Sequence, residues 1–181
     1  MKKITVMDLC MCAAGIALHV ILELFCTIRI GNDLKITLAA LPFLIIGFLC
    51  GPLEGFLTGI LGTFLSQLLT FGVTVTTVFW VAPYAVQGLL AGLIFKYGFK
   101  RKTTIWSVAC SVFCSGFAAV VLTWFASYLD GVVIFKYMIL EALIALIPVR
   151  LLVWACVSAV YTAVSLPLIK AFLKRSPAGL R

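Results

Sequence analysis

Apolar runs long enough to cross a bilayer fill most of this sequence, and they constrain its fold more than any other feature. The chain has 181 residues, of which 64% are hydrophobic and 11% are charged, and its mean hydropathy is +1.23. A soluble domain is nearer half apolar and a quarter charged, and a β-barrel would show short alternating segments instead. Because one membrane-spanning helix needs about 20 apolar residues, we predict an all-α integral membrane protein with six transmembrane helices in a single domain, 1–181.

Breaks in the apolar runs give the predicted helix boundaries. The helices are predicted at 6–25, 35–50, 53–70, 78–95, 104–128 and 148–172. Gly51-Pro52 is a turn signal between the second and third helices. Gly55 and Gly59, and likewise Gly88 and Gly92, have the spacing that allows close helix packing in lipid. Residues 129–146 are predicted as a loop followed by a short helix on the outer surface.

The positive charge of the chain predicts its orientation. The net charge is +8, and six helices would place ten of the fourteen Lys and Arg residues on the side of the two termini. In a membrane protein such charge marks cytoplasmic loops and contacts with anionic lipid rather than nucleic acid. The positive-inside rule therefore predicts that both termini are cytoplasmic.

Motifs for metal binding and catalysis are missing from the sequence. The seven cysteines lie in or beside apolar runs without a C-x-x-C pair, and His19 is the single histidine. Free cysteine behaves as a small hydrophobe, so we predict helix packing for these cysteines. The sequence also lacks a P-loop, G-x-G-x-x-G, H-E-x-x-H and G-x-S-x-G. We predict no metal, no cofactor and no catalytic residue, with any energy supplied by a partner.

A charged loop leads into the second apolar run, and it is a candidate lid over a site open to the outside. This loop contains Arg29, Asp33 and Lys35. Arg29 has two open interpretations, since it could bind an anion from the lid or be a solvated loop residue. We interpret Lys35 as a side chain that snorkels to the membrane surface.

The predicted fourth helix contains residues suited to a flat heterocycle. Trp80, Tyr84 and Gln87 share one face at helical spacing. An aromatic pair can stack on a planar ring, and a glutamine offers both a donor and an acceptor to its edge. Gln67, near the end of the third helix, is a further candidate. The alternative for Trp80 and Tyr84 is an aromatic belt at the membrane surface.

Arg150 is the strongest candidate for binding an anionic group. It begins the last apolar run just after Pro148. An arginine at membrane depth is costly and marks a pathway or a bound anion, and its planar fork matches a carboxylate. Pairing with Glu141 or Asp130 is the alternative. The loops near Lys35, Thr74 and Arg150 converge on the outer side in this topology.

The first predicted helix has a face of small residues. Ala13 and Ala17 lie one turn apart, and this spacing lets another helix approach closely. That helix belongs either to the same chain or to a partner protein.

These features together resemble the substrate-binding (S) component of energy-coupling factor (ECF) vitamin transporters. The Ala13-x-x-x-Ala17 face is similar to the motif with which such proteins dock on their coupling protein. The segments IRIG at 28–31, LP at 41–42, GPLEG at 51–55 and PVRLL at 148–152 are similar to the folate-type branch. Gly62-Thr63 and residues 73–77 depart from the pattern of that branch.

The resemblance implies a multi-pass protein of a bacterial cell membrane that binds a water-soluble vitamin, folate-like or related, under loop 1. It also implies docking on a module of one transmembrane coupling protein and two ATPases, which hydrolyse the ATP, and toppling of the protein within the bilayer. Two other functions stay open from the residues alone. One is a self-sufficient six-helix permease or channel, and the other is a membrane enzyme.

Overall fold

The computed structural model describes residues 5–30, 34–136 and 139–175, which form a helical bundle with one short hairpin. In chain order the elements are α1 (Val6–Phe25), β1 (Thr27–Ile30), β2 (Leu34–Thr37), α2 (Ala40–Leu49), α3 (Pro52–Phe71), α4 (Thr77–Leu93), the π-helix π1 (Ile94–Gly98), α5 (Ile105–Ser127), the π-helix π2 (Tyr128–Ile134), α6 (Leu140–Ala145) and α7 (Ile147–Arg175). By length and composition, five helical stretches of the described chain can cross a membrane.

The prediction that the second helix begins at residue 35 is wrong. Residues 34–37 form β2, which pairs with β1 as an antiparallel hairpin with Thr27 opposite Thr37, so the all-α prediction needs this correction. β-branched side chains such as those of Thr27, Ile28, Ile36 and Thr37 favour extended backbone. The remaining helix α2 has 10 residues and a length of about 15 Å. It is therefore too short to span a hydrocarbon core of about 30 Å alone.

The stretch predicted as a loop with a short helix begins as helix. π2 continues directly from α5, and α6 follows residues 137–138, which lie outside the described residues. π-helical turns are frequent at functional sites. On α6 Glu141 is exposed, whereas Leu143 is buried, so one side of this short helix packs onto the protein.

The short helix α2 is the centre of the core. Nine of its ten residues are buried, and Phe43 and Leu44 have no exposed surface. It packs against α1, α3, α4 and α7. A helix that is apolar on all sides is expected to be enclosed in this way.

Glycines bring α2, α3 and α4 into backbone contact, which confirms the close packing predicted from their spacing. A Cβ atom built on Gly59 would lie 2.8 Å from the Tyr84 carbonyl oxygen, and one on Gly88 would collide with the Gly55 carbonyl. On α2, a Cβ on Gly47 would lie 3.0 Å from the Gly88 carbonyl oxygen. Because the obstructing atoms are backbone, they cannot rotate away as a side chain would.

Gly88→Ala is expected to destabilise the protein by about 1–3 kcal/mol, the usual cost of overpacking. The measurement is thermal unfolding of the purified protein in detergent. Gly98→Ala is the matched control, because a Cβ there meets only Ile94 Cγ2 at 3.8 Å. Equal melting temperatures for the two variants would contradict the close contact between α3 and α4.

Candidate functional site

A cavity of about 630 Å³ lies at the end of the bundle that carries the hairpin and the α3–α4 connection. Its size falls within the range of about 300–1,000 Å³ that is usual for small-molecule sites. The described residues that line it come from the hairpin, from α1, α2, α3, α4, α5, π2 and α7, and from the segments that follow α3 and π2: Glu23, Lys35, Thr37, Ala40, Gln67, Phe71, Thr74, Thr76, Trp80, Tyr84, Gln87, Gly116, Ala119, Val120, Thr123, Asp130, Phe135, Arg150, Val153, Trp154, Val157, Ser158 and Tyr161.

The structure brings most of the predicted site residues to this one cavity. Five of the six line it: Gln67, Trp80, Tyr84, Gln87 and Arg150. The sixth, Arg29, has its backbone in β1, but its side chain lies outside the described ones. The three regions predicted to converge all contribute to the wall, through Lys35, Thr74 and Arg150.

One face of α4 supplies a wall of the cavity. Trp80 and Tyr84 are half-buried there, and Gln87 is buried. The Tyr84 ring packs edge-on against Phe43 of α2, with 6.3 Å between the ring centroids, so the core fixes its position. The alternative of an aromatic belt at the membrane surface does not explain why Trp80 and Tyr84 line a cavity of the bundle.

Arg150, near the start of α7, contributes to the wall of the same cavity. Its side chain is only 7% exposed, and its Nη2 atom donates a hydrogen bond of 2.9 Å to Ser127 Oγ. Asp130, one turn beyond Ser127 in π2, lines the same cavity. An arginine held in this way presents a fixed cation to a ligand.

Lys35 does not snorkel to the membrane surface as predicted. Its Nζ atom lies 2.7 Å from Glu23 Oε1 in an ion pair and 5.0 Å from the centroid of the Tyr84 ring. Burial works to lower the pKa of the Lys35 ammonium, but attraction to the Tyr84 phenol and the Glu23 carboxylate raises it above its ordinary value. Lys35 therefore stays charged across the physiological pH range.

Thr37 joins the hairpin to two helices. Its hydroxyl donates to Glu23 Oε2 at 3.2 Å and accepts from the hydroxyl of Thr27 at 2.9 Å. Its carbonyl oxygen accepts a 2.6 Å hydrogen bond from the Tyr161 hydroxyl of α7. The base of β2 is consequently held to both α1 and α7.

Sequence reasoning missed several residues of the cavity wall, although some of them carried a signal. Trp154 and Tyr161 follow Arg150 by four and eleven residues, which is the spacing of one helix face. That periodicity could have identified them. No comparable periodicity identifies Glu23, because its role depends on partners in the hairpin.

The predicted docking residues lie elsewhere on the molecule. Ala13 and Ala17 are exposed on α1, whereas Gly15 and His19 of the same helix are buried. A Cβ on Gly15 would run into Ile46 of α2, so this side of α1 makes the internal contacts. Among the described residues, the alanine face is therefore left open to the surroundings.

An apolar helical bundle that encloses an aromatic and charged cavity at one end defines a membrane-embedded protein for binding a small molecule. The sequence model of the family described as ECF transporter, substrate-specific component, matches residues 8–169. This chain belongs to that family, and it is thus a multi-pass membrane protein and a component of a transporter, not an enzyme. None of the curated proteins compared with the chain matches it.

Proposed function

We propose that this protein captures a water-soluble vitamin, folate-like or related, from outside the cell and delivers it inward on an ATPase-driven coupling module. Membership of the substrate-specific component family supports the role of a substrate-binding subunit. The observation that carries the proposal is the cavity, in which stacking residues and a buried arginine face the same space. The proposed ligand is a flat heterocycle with a carboxylate.

The chemistry of the cavity wall supports this ligand class. The rings of Trp80 and Tyr84 offer surfaces on which a heterocycle can stack. The Gln87 amide can donate and accept at the edge of that heterocycle. Arg150 stands on α7, away from this α4 face, so a ligand with its carboxylate at one end and its ring at the other would contact both.

The direction of transport depends on the proposed orientation, with both termini cytoplasmic and the cavity open to the outside. The connection after π1 carries Lys100, Arg101 and Lys102, and the positive-inside rule favours the cytoplasm for such a cluster. The cavity is lined instead by the hairpin and by the α3–α4 connection, which leads from the opposite end of α4.

Labelling of single cysteines tests this orientation. In a variant whose native cysteines are replaced, Val75→Cys is expected to react with a membrane-impermeant maleimide in intact cells. Lys100→Cys is expected to react only after the membrane is permeabilised. Both positions are exposed, so accessibility within the protein does not bias the comparison, and the reverse labelling pattern would overturn the orientation.

Mass spectrometry of the small molecules that the purified protein retains tests the proposed function. We expect a heteroaromatic carboxylate in the wild-type sample, and a strongly reduced amount in Arg150→Ala. Purification with a coupling protein and two ATPases would support the proposed partners. Uptake of the same nutrient into liposomes by this protein alone, without ATP, would instead indicate a self-sufficient permease.

A further inference from the structure

The cavity wall contains as many negative as positive side chains. Among the described residues that line it, Lys35 and Arg150 are the cations. Glu23 and Asp130 are the anions of the same described wall. The other polar side chains there are hydroxyls, amides and indoles, which carry no charge. The described part of the wall is therefore neutral as a whole before any ligand enters.

One of the two cations is already bound to an anion of the wall. Lys35 Nζ lies 2.7 Å from Glu23 Oε1, and the Glu23 side chain is only 10% exposed. If Lys35 turned to a ligand instead, this nearly buried carboxylate would lose its counterion, which is costly. Lys35 therefore offers little attraction to an anionic group of a ligand.

The other cation, Arg150, shares its part of the wall with Asp130. Arg150 Nη2 donates a hydrogen bond of 2.9 Å to Ser127 Oγ, and α5 continues from Ser127 directly into π2. Asp130 follows Ser127 by three residues, and residues at this spacing are neighbours on a helix surface. Both charged side chains are buried, so water and salt screen them only weakly. A ligand bound here therefore experiences both charges together.

We propose that Asp130 makes the cavity selective for ligands with a single negative charge. This inference rests on the proposed function, in which Arg150 binds the carboxylate of the ligand. A second carboxylate on the same ligand would be repelled by Asp130, while Lys35 is held by Glu23. Removing that carboxylate from water without a counterion is costly, so a monoanion is favoured over a dianion of the same shape.

Two probes that differ by one charge test this selectivity. Folate has two carboxylates, and pteroylglutamine has the same skeleton with one of them replaced by an uncharged amide. Their dissociation constants are measured by isothermal titration on purified protein freed of retained molecules. We expect the wild type to bind pteroylglutamine about threefold or more tightly than folate, because like charges several Å apart repel measurably even when partly screened. Equal dissociation constants would overturn the proposed selectivity.

Three variants assign the selectivity to its residue. Asp130→Asn removes the charge with little change in shape and is expected to bring the two dissociation constants together, chiefly by strengthening the binding of folate. Asp130→Glu keeps the charge and is expected to keep the preference. Glu141→Gln is the matched control, because Glu141 is an exposed acid of α6 and is not among the described residues that line the cavity. An undiminished preference in Asp130→Asn would overturn the role of Asp130.

The small molecules retained by the wild-type protein give a second test, which needs no variant and still decides the question if Asp130→Asn does not fold. We expect mass spectrometry to find a heteroaromatic compound with one carboxylate. A heteroaromatic compound with two or more carboxylates would overturn the proposed selectivity while supporting the proposed function. A retained compound without an aromatic ring or a carboxylate would contradict the proposed function itself, and the selectivity would fall with it.

Discussion

Arg150→Ala is expected to weaken binding of a carboxylate-bearing nutrient by about 2–5 kcal/mol, which is about 30- to 5,000-fold in the dissociation constant. The reason is that the cation is 7% exposed and fixed by Ser127 at 2.9 Å. A ligand carboxylate that loses this partner would keep a desolvated charge without compensation. Isothermal titration with folate as the probe, on protein freed of retained molecules, measures the effect.

Two controls distinguish charge recognition from damage to the site. Ser127→Ala removes one hydrogen-bond acceptor of Arg150 but leaves its charge, so a smaller loss is expected. Pterin, which has the heterocycle of folate without its glutamate carboxylates, is expected to bind equally well to the wild type and Arg150→Ala. If folate binds the variant with an unchanged dissociation constant, Arg150 does not bind the carboxylate.

The pair of substitutions Ala13→Trp and Ala17→Trp is expected to abolish co-purification with the coupling protein and its ATPases. The two alanines are exposed on one side of α1, and close approach of helices in lipid depends on small side chains. Two indole rings would hold a partner helix away from this face. The measurement is the amount of partner subunits recovered with the tagged protein from membranes.

A matched pair on another helix is the control for docking. Leu61 and Leu65 of α3 are also exposed and also four residues apart. Replacing both with tryptophan is expected to leave the partner complex intact. Nutrient binding by the isolated protein should persist in both double variants, because neither pair lines the cavity. Full recovery of the complex with Ala13→Trp and Ala17→Trp would exclude this face as the docking surface.

Local signals explain which parts of the fold could be predicted from the sequence. α1 begins and ends where the apolar run does, and Gly51-Pro52 separates α2 from α3 as expected. The hairpin could not be predicted in the same way, because residues 36–37 continue directly into an apolar run. What holds them extended is pairing with residues 27–28 and the carboxylate of Glu23, and no local pattern encodes those contacts.

The same distinction applies to the cavity. The prediction of Trp80, Tyr84 and Gln87 rests on one helix face that holds all three, and the prediction of Arg150 rests on a charge at membrane depth. Contacts between residues far apart in the sequence have no local pattern from which they could be predicted. Tyr161 and Thr37, for example, are 124 residues apart and meet through a backbone carbonyl, so neither residue type indicates the bond.

The glycine contacts between α3 and α4 limit the ways in which the cavity can empty. The backbones of Gly88 and Gly55 are in contact and leave no room for a side chain between them. If one helix slid along the other by a single residue, a larger residue would replace one of these glycines at the contact and would clash. Shear motion, which consists of small slides between packed helices, is therefore unfavourable between α3 and α4. We therefore expect α3 and α4 to move together, so that a change in the shape of the cavity would come from displacement of α1, α5 or α7 relative to them.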